Sequence, residues 1–133
     1  DDQMHQESRD EVLRNLAATE VEVVFRETNY PADTVVWLEK RFEIIHEEKW
    51  ISGTFDRVVF SREAGKVGLY DFKTNRVANQ HDIASACEHY RPQLSIYRAA
   101  LSQLLGVSDD SISTSLIFTR VAHVVEVKPA VPF

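Results

Sequence analysis

At 133 residues, with 44% hydrophobic and 27% charged positions, the chain is one globular domain, too short for two and too apolar for a disordered tract. A single cysteine, Cys87, excludes an internal disulfide and a four-cysteine zinc or iron–sulfur site, and points to a reducing compartment. The net charge of −6 is unlike that of a nucleic-acid binder, which sets an excess of Lys and Arg against phosphate, but it suits a site that gathers divalent cations through carboxylates, so charge alone decides nothing.

The chain opens Asp1-Asp2-Gln3-Met4-His5, without the basic and apolar leader of a secreted protein. No apolar run approaches membrane-spanning length, and a cytoplasmic protein with no membrane partner is expected. Arg9–Ala18 predicts a short helix, with Val12, Leu13, Leu16 and Ala17 on one face. Val21–Phe25 fits an extension of that helix or a strand, since periodicity does not separate the two. Asn29–Asp33 is a loop. Residues 1–33 thus form an N-terminal helical part, and residues 34–133 the core of the domain.

Within that core, Thr34–Ile45 is rich in Val, Trp, Phe and Ile, as strands are. Lys49–Ser61 and Lys66–Thr74 are two further strands. Arg62–Gly65 between them makes a hairpin turn with Gly65 at the positive-φ position. His81–Gly106 is helical and is expected in two pieces. Proline in a helix interior removes a hydrogen bond, so Pro92 is placed in the first turn of the second piece. Leu94, Tyr97, Leu101, Leu104 and Leu105 follow at helical spacing, and Gly106 suits the C-terminal cap. Ser113–Thr119 and Ala122–Lys128 make a last pair of strands, joined tightly near Arg120-Val121. The order helix, three strands, helix, two strands predicts a mixed α/β domain around a central sheet.

Three motifs carry chemistry. The middle one is Asp71-Phe72-Lys73: on a strand Asp71 and Lys73 project to one face and Phe72 to the other. An Asp-x-Lys triplet arises by chance roughly once in two chains of this length, so alone it is weak. Asp56 strengthens it. If the hairpin loop is Arg62–Gly65, Ser61 faces Lys66, and Asp56 falls opposite Asp71. Carboxylates with Cβ atoms about 5 Å apart repel unless a cation compensates. A three-residue loop would shift the register by one and undo this pairing, unless a bulge restored it. The third motif is helical: Tyr90, Gln93 and Tyr97, three and four apart, share one stripe. A glutamine on the inward side of an apolar helix needs a partner, which points to a polar site beneath it.

The series Gly53-x-x-Asp56-Arg57-Val58, Asp71-Phe72-Lys73-Thr74 and Tyr90-x-x-Gln93-Leu94-x-x-Tyr97, in this order and spacing, closely resembles the nuclease domains of RecB/AddA-type helicase–nucleases, within the PD-(D/E)XK superfamily. The similarity runs from about Glu39 to Val127. It implies a restriction-endonuclease-like α/β core, a central mixed sheet flanked by helices. It also implies a DNA exonuclease activity using Mg²⁺ or Mn²⁺, in double-strand-break repair and recombination. By the same resemblance Asp56 and Asp71 are metal ligands, with the backbone carbonyl of Phe72 as a further one. Lys73 positions the attacking water or stabilises charge at the phosphate. Gln93 and Tyr97 match a Gln-x-x-x-Tyr motif that supports the site and the DNA strand. Thr74 adjoins the lysine, and Glu39, in Glu-Lys-Arg-Phe, resembles a Glu-x-x-Phe stretch ahead of the Asp56 strand.

The chain departs from the pattern in one respect. Such domains carry a metal-binding histidine on a helix well upstream, and His5 stands too close to Asp56 to be it. No Gly-x-x-x-x-Gly-Lys-Ser/Thr phosphate loop is present, so ATP would serve only a helicase region outside this chain. The expected partners are therefore DNA, that helicase region on the same polypeptide, and a partner subunit. The chain is expected to be an excised piece of a larger protein, inactive alone if its site is incomplete.

Plainer readings stand beside these. Asp71 with Lys73 can be a solvated ion pair, worth under about 1 kcal/mol. Asp56 can partner Arg57. Gln93 and Tyr97 can close a helix over the core, Tyr90 reads as packing, and Glu39 as an exposed strand residue. His46, His81, His89 and His123 have no metal-like spacing, and Trp37 and Trp50 read as core or sheet-packing aromatics. The rival function is a catalytically inactive nuclease-like domain used to bind DNA or to assemble subunits; a protein-interaction module would require all three motifs to be coincidence.

Overall fold

A computed structural model describes residues 32–128; the expected helix Arg9–Ala18, the segment Val21–Phe25 and the first part of the Asn29–Asp33 loop lie outside them. The strands are β1 (Val35–His46), β2 (Lys49–Ser61), β3 (Lys66–Lys73), β4 (Ile112–Phe118) and β5 (His123–Glu126), with one helix, α1 (Gln80–Leu105), between β3 and β4. They form a five-stranded sheet in the order β1-β2-β3-β4-β5. All neighbours are antiparallel except β3 and β4, which run parallel. A parallel pair needs a long crossover, and α1 supplies it. This is the mixed α/β sheet that the order of elements predicted.

The β2–β3 hairpin takes the expected register, with Ser61 opposite Lys66. Gly65 has φ 66, and its N–H donates to Ser61 O at 2.9 Å. That left-handed conformation carries no Cβ penalty in glycine.

α1 is one unbroken helix rather than the expected two pieces, with Pro92 in its interior. Pro92 is exposed and removes a single N–H, leaving the Glu88 carbonyl on a face that water can reach. On either side the helix is anchored by buried residues, Cys87 and Leu94 in one half and Ala100 and Leu101 in the other. Burying several such side chains, at about 1.5–3 kcal/mol each, outweighs a proline cost of about 3 kcal/mol. At its start the Asn79 side chain accepts from Asp82 N–H, while the Asp82 carboxylate accepts from Ala78 N–H. At its end Gly106, φ 66, donates to Ser102 O, as the sequence predicted.

The core lies between α1 and one face of the sheet, in two clusters. The C-terminal half of α1 packs Ala100 and Leu101 on Phe42, Phe55, Val58 and Leu69 of β1–β3. The N-terminal half packs Cys87 and Leu94 on Leu116 and Phe118 of β4. Strand alternation alone does not explain the first cluster. Trp37 and Phe42, five apart, both join it, and so do Phe55 and Val58, three apart. Period two would send each pair to opposite faces, so both strands break alternation once. The break falls on one rung: pairing runs Leu38 to Arg57 and resumes at Lys40 to Phe55, passing over Glu39 and Asp56, and Glu39 has φ 48. Phe55 is thereby carried onto the face of Val58, beneath α1, beside Asp56, which ordinary alternation already places there.

Trp37 packs on Phe60, ring centroids 5.0 Å apart. Trp50, in contrast, is 67% exposed opposite Ile45 near the tip of the β1–β2 hairpin, and is not a core residue.

Candidate active site

The site forms where the sheet splits. β3 pairs with β2 only as far as Tyr70, but with β4 as far as Lys73. The last residues of β3 therefore keep one edge turned toward β2 without ladder bonds to it. Asp56 fills that gap with its side chain, accepting from the Phe72 N–H at 2.8 Å. In a strand the N–H and C=O of one residue point to the same edge, so the Phe72 carbonyl faces this opening too.

Asp56 and Asp71 converge there. Burial, and then the adjoining Asp71 carboxyl, which disfavours a second negative charge, push the Asp56 pKa up to about 7. The Phe72 N–H and the Lys73 ammonium act in the opposite direction. Asp71 is buried, and its Oδ2 lies 2.6 Å from Lys73 Nζ. That oxygen nevertheless has no directed hydrogen-bond partner. The two observations agree if the contact is a close charge pair at a poor angle, which leaves lone pairs of a buried carboxylate turned into the site.

α1 closes over these groups along the seam between the two core clusters. Tyr97 packs on the first, edge-on to Phe42 and Phe55 at 5.3 and 5.6 Å. Tyr90 packs on the second. Between them Gln93 Oε1 stands 3.5 Å from Lys73 Nζ. Gln93 is exposed rather than inward-facing, so burial does not demand its partner; its position one turn from Tyr90 and Tyr97 brings it to the lysine.

Gly53 belongs to this packing. A Cβ there would stand 2.9 Å from both Phe42 Cζ and the Tyr97 hydroxyl. The Phe42 ring is stacked on Phe55 with centroids 4.3 Å apart and has little freedom to yield. Gly53→Ala is expected to lower unfolding stability by about 1–3 kcal/mol, read as a shifted urea midpoint at unchanged slope.

The arrangement thus gathers Asp56, Phe72, Asp71, Lys73 and Gln93, while Tyr97 packs on the flanking core cluster. Thr74 follows β3, exposed, its carbonyl accepting from Arg120 Nε at 2.7 Å. Glu39 lies on the rung opposite Asp56 and is exposed. It does not join the carboxylates: among the described residues no group of three His, Cys, Asp or Glu side chains comes together. Two carboxylates and a strand carbonyl suit a hard, oxygen-seeking cation such as Mg²⁺, which is commonly held by one or two carboxylates and completes its shell with water and phosphate. They do not suit a closed zinc site.

A family model described as the PD-(D/E)XK nuclease superfamily matches residues 2–131. The chain belongs to the PD-(D/E)XK nuclease superfamily. It is also 33% identical over 81 residues to an ATP-dependent helicase/nuclease subunit from Limosilactobacillus fermentum. That match spans 59% of this chain and 6% of the relative, so the chain corresponds to a small part of that protein's length. Both findings agree with the RecB/AddA-like resemblance of the three motifs. The mixed sheet with α1 packed on it agrees with the restriction-endonuclease-like fold of the superfamily. Members generally use divalent metal ions, which the paired carboxylates fit.

Two residues of this nuclease-superfamily site escaped the sequence reading. Tyr90, read as packing, places its ring 3.9 Å (centroid) from Lys73 Nζ, and Asn75 bonds the Tyr90 hydroxyl. A signal for Tyr90 existed, since it sits three residues before Gln93 on the same stripe. Asn75 had none. Among the described residues, no helix is long and apolar enough to cross a membrane.

Proposed function

We propose that this chain is the hydrolytic domain of a divalent-metal-dependent deoxyribonuclease, an exonuclease working within a helicase–nuclease that processes DNA ends in double-strand-break repair and recombination. The observation that carries this reading is the meeting of two acids from neighbouring strands, with an amine 2.6 Å from one of them. A solvated surface ion pair would not bury Asp71 to 7% exposure or push the Asp56 pKa up to about 7.

Asp56, Asp71 and the Phe72 carbonyl are the groups that would hold Mg²⁺ or Mn²⁺. Bound there, the ion supplies Lewis acidity toward the scissile phosphate and toward the attacking water. Lys73 keeps a fixed positive charge beside the place where negative charge accumulates on the phosphate. Gln93 orients the lysine from α1, and Tyr97 keeps the helix seated on Phe42 and Phe55. Thr74 and Glu39 flank the opening and support the strand. ATP belongs to the helicase region of the same polypeptide, which, with DNA and a partner subunit, completes the assembly; the helicase/nuclease name of the Limosilactobacillus fermentum relative supports this. The compartment that goes with this role is the cytoplasm.

The deciding experiment uses linear DNA and the full-length protein. EDTA is expected to stop release of nucleotides, and excess Mg²⁺ or Mn²⁺ to restore it. Cleavage that persists at full rate in EDTA would remove the metal from the mechanism.

A further inference from the structure

We infer that Tyr90 is a positioning residue for Lys73, its ring face fixing the ammonium and its hydroxyl clamped by Asn75; the inference rests on the nuclease reading above. An ammonium on a flexible four-carbon stem has no geometry of its own to hold it in place, so its position is set by the groups around it. Around Lys73 Nζ three partners are present: Asp71 Oδ2 at 2.6 Å, Gln93 Oε1 at 3.5 Å and the Tyr90 ring at 3.9 Å to its centroid. The tyrosine distance is well inside the range of about 6 Å over which a ring face attracts a cation. The Lys73 side chain is only 15% exposed, and in such partly desolvated surroundings the attraction is stronger than in water.

The tyrosine is itself held at both ends. Its ring packs among the residues of the second core cluster, and its hydroxyl meets the Asn75 amide at 3.2 and 3.3 Å. Asn75 is two residues beyond Lys73, so one aromatic side chain from α1 grips two alternate positions of the segment leaving β3. Without the ring, a four-carbon stem tethers the ammonium only through Asp71 and the long Gln93 contact. Asp71 is also the carboxylate proposed to hold the metal, so Tyr90 would keep the amine in place while that carboxylate is engaged. Tyr90 touches no reacting atom, and its effect passes through Lys73.

The test is a set of substitutions in the full-length protein, assayed on linear DNA with saturating Mn²⁺. Tyr90→Leu is expected to lower kcat about tenfold with KM and the Mn²⁺ requirement unchanged, and Tyr90→Phe, which keeps the ring face, to recover most of that loss. Tyr90→Phe and Asn75→Ala, which break the same hydroxyl–amide contact, should each lower kcat about two- to threefold, and the double variant no further than either alone. Melting curves identify any variant that fails to fold; should Tyr90→Leu do so, the Phe and Ala pair and their non-additivity decide the matter. A Tyr90→Leu enzyme within twofold of wild type, a loss confined to KM, or additive losses in the pair would overturn the inference. Wild type and Asp71→Ala are the controls that separate the two levels: a wild type that does not cut ends the nuclease reading and an undiminished Asp71→Ala ends the site assigned to it, whereas a dead Asp71→Ala beside a fully active Tyr90→Leu removes only the role given to Tyr90.

Discussion

Asp71→Ala is expected to lower kcat for DNA cleavage by the full-length protein on the order of 10³-fold or more. Asp71 carries two functions through one carboxylate. Its Oδ2 pairs with Lys73 at 2.6 Å, and that same buried oxygen lacks a directed hydrogen-bond donor. Removing it takes away half of the carboxylate pair and leaves the Lys73 ammonium partly buried beside a methyl group. Lys73→Ala is expected to be nearly as damaging to kcat, on the order of 10²–10³-fold, yet to keep Mn²⁺ binding, because the lysine contributes charge and no ligand atom. Parallel measurements of turnover and of Mn²⁺ affinity by calorimetry separate the two roles. Undiminished cleavage by the Asp71 variant would end the hydrolytic assignment, and equal loss of Mn²⁺ in both variants would reverse the division of labour between them.

Asp56→Asn should move activity and stability in opposite directions. In the metal-free protein, burial and the neighbouring Asp71 raise the Asp56 pKa from 3.8 to about 7. A carboxyl whose pKa is higher folded than unfolded binds its proton more tightly in the folded state. Its full stability is present below about pH 3.8 and is lost as pH rises toward and through about 7. At pH 8 the ionised carboxylate is therefore a liability. Asparagine removes that charge, and its Oδ1 can still accept from Phe72 N–H. With allowance for solvent screening, the variant should be more stable than wild type at pH 8 by on the order of 1–2 kcal/mol, with the difference vanishing near pH 4. Cleavage should be lost, and Mn²⁺ should raise the melting temperature of the wild type by mass action and that of the variant far less. Thermal melts in EDTA at the two pH values, repeated with Mn²⁺, supply the check. A variant less stable than wild type at pH 8 would mean that the two acids do not repel one another as described.

On the proposed function, such a trade of stability for activity accounts for the acids sitting where the sheet is least regular. The rung of Glu39 and Asp56 interrupts the β1–β2 ladder, and the β2–β3 ladder stops one step short of Asp56 and Asp71. A fully paired sheet would satisfy the Phe72 N–H through backbone; here the Asp56 carboxylate accepts from it instead. The opening therefore exists because a side chain stands in for a strand.

Much of this was legible in the chain itself. Strand-like composition on either side of Arg62–Gly65 defined β2 and β3, and the four-residue turn brought Ser61 opposite Lys66. From that register the approach of Asp56 to Asp71 followed by counting. Gly106 ended α1 because only a left-handed residue closes a helix that way cheaply. The series of three motifs identified the superfamily, since each marks short-range geometry that the residues themselves impose. Tertiary contact decided the rest. Pro92 stays inside one helix because two separate clusters hold the halves on either side of it. Phe55 turns under α1 because alternation breaks at a rung that no local pattern announces. Trp50 is exposed although its residue type favours burial, and Tyr90 meets Lys73 across a helix–strand contact. In each of these cases the outcome depends on partners distant along the chain, whose combined burial outweighs the local preference of the residue concerned.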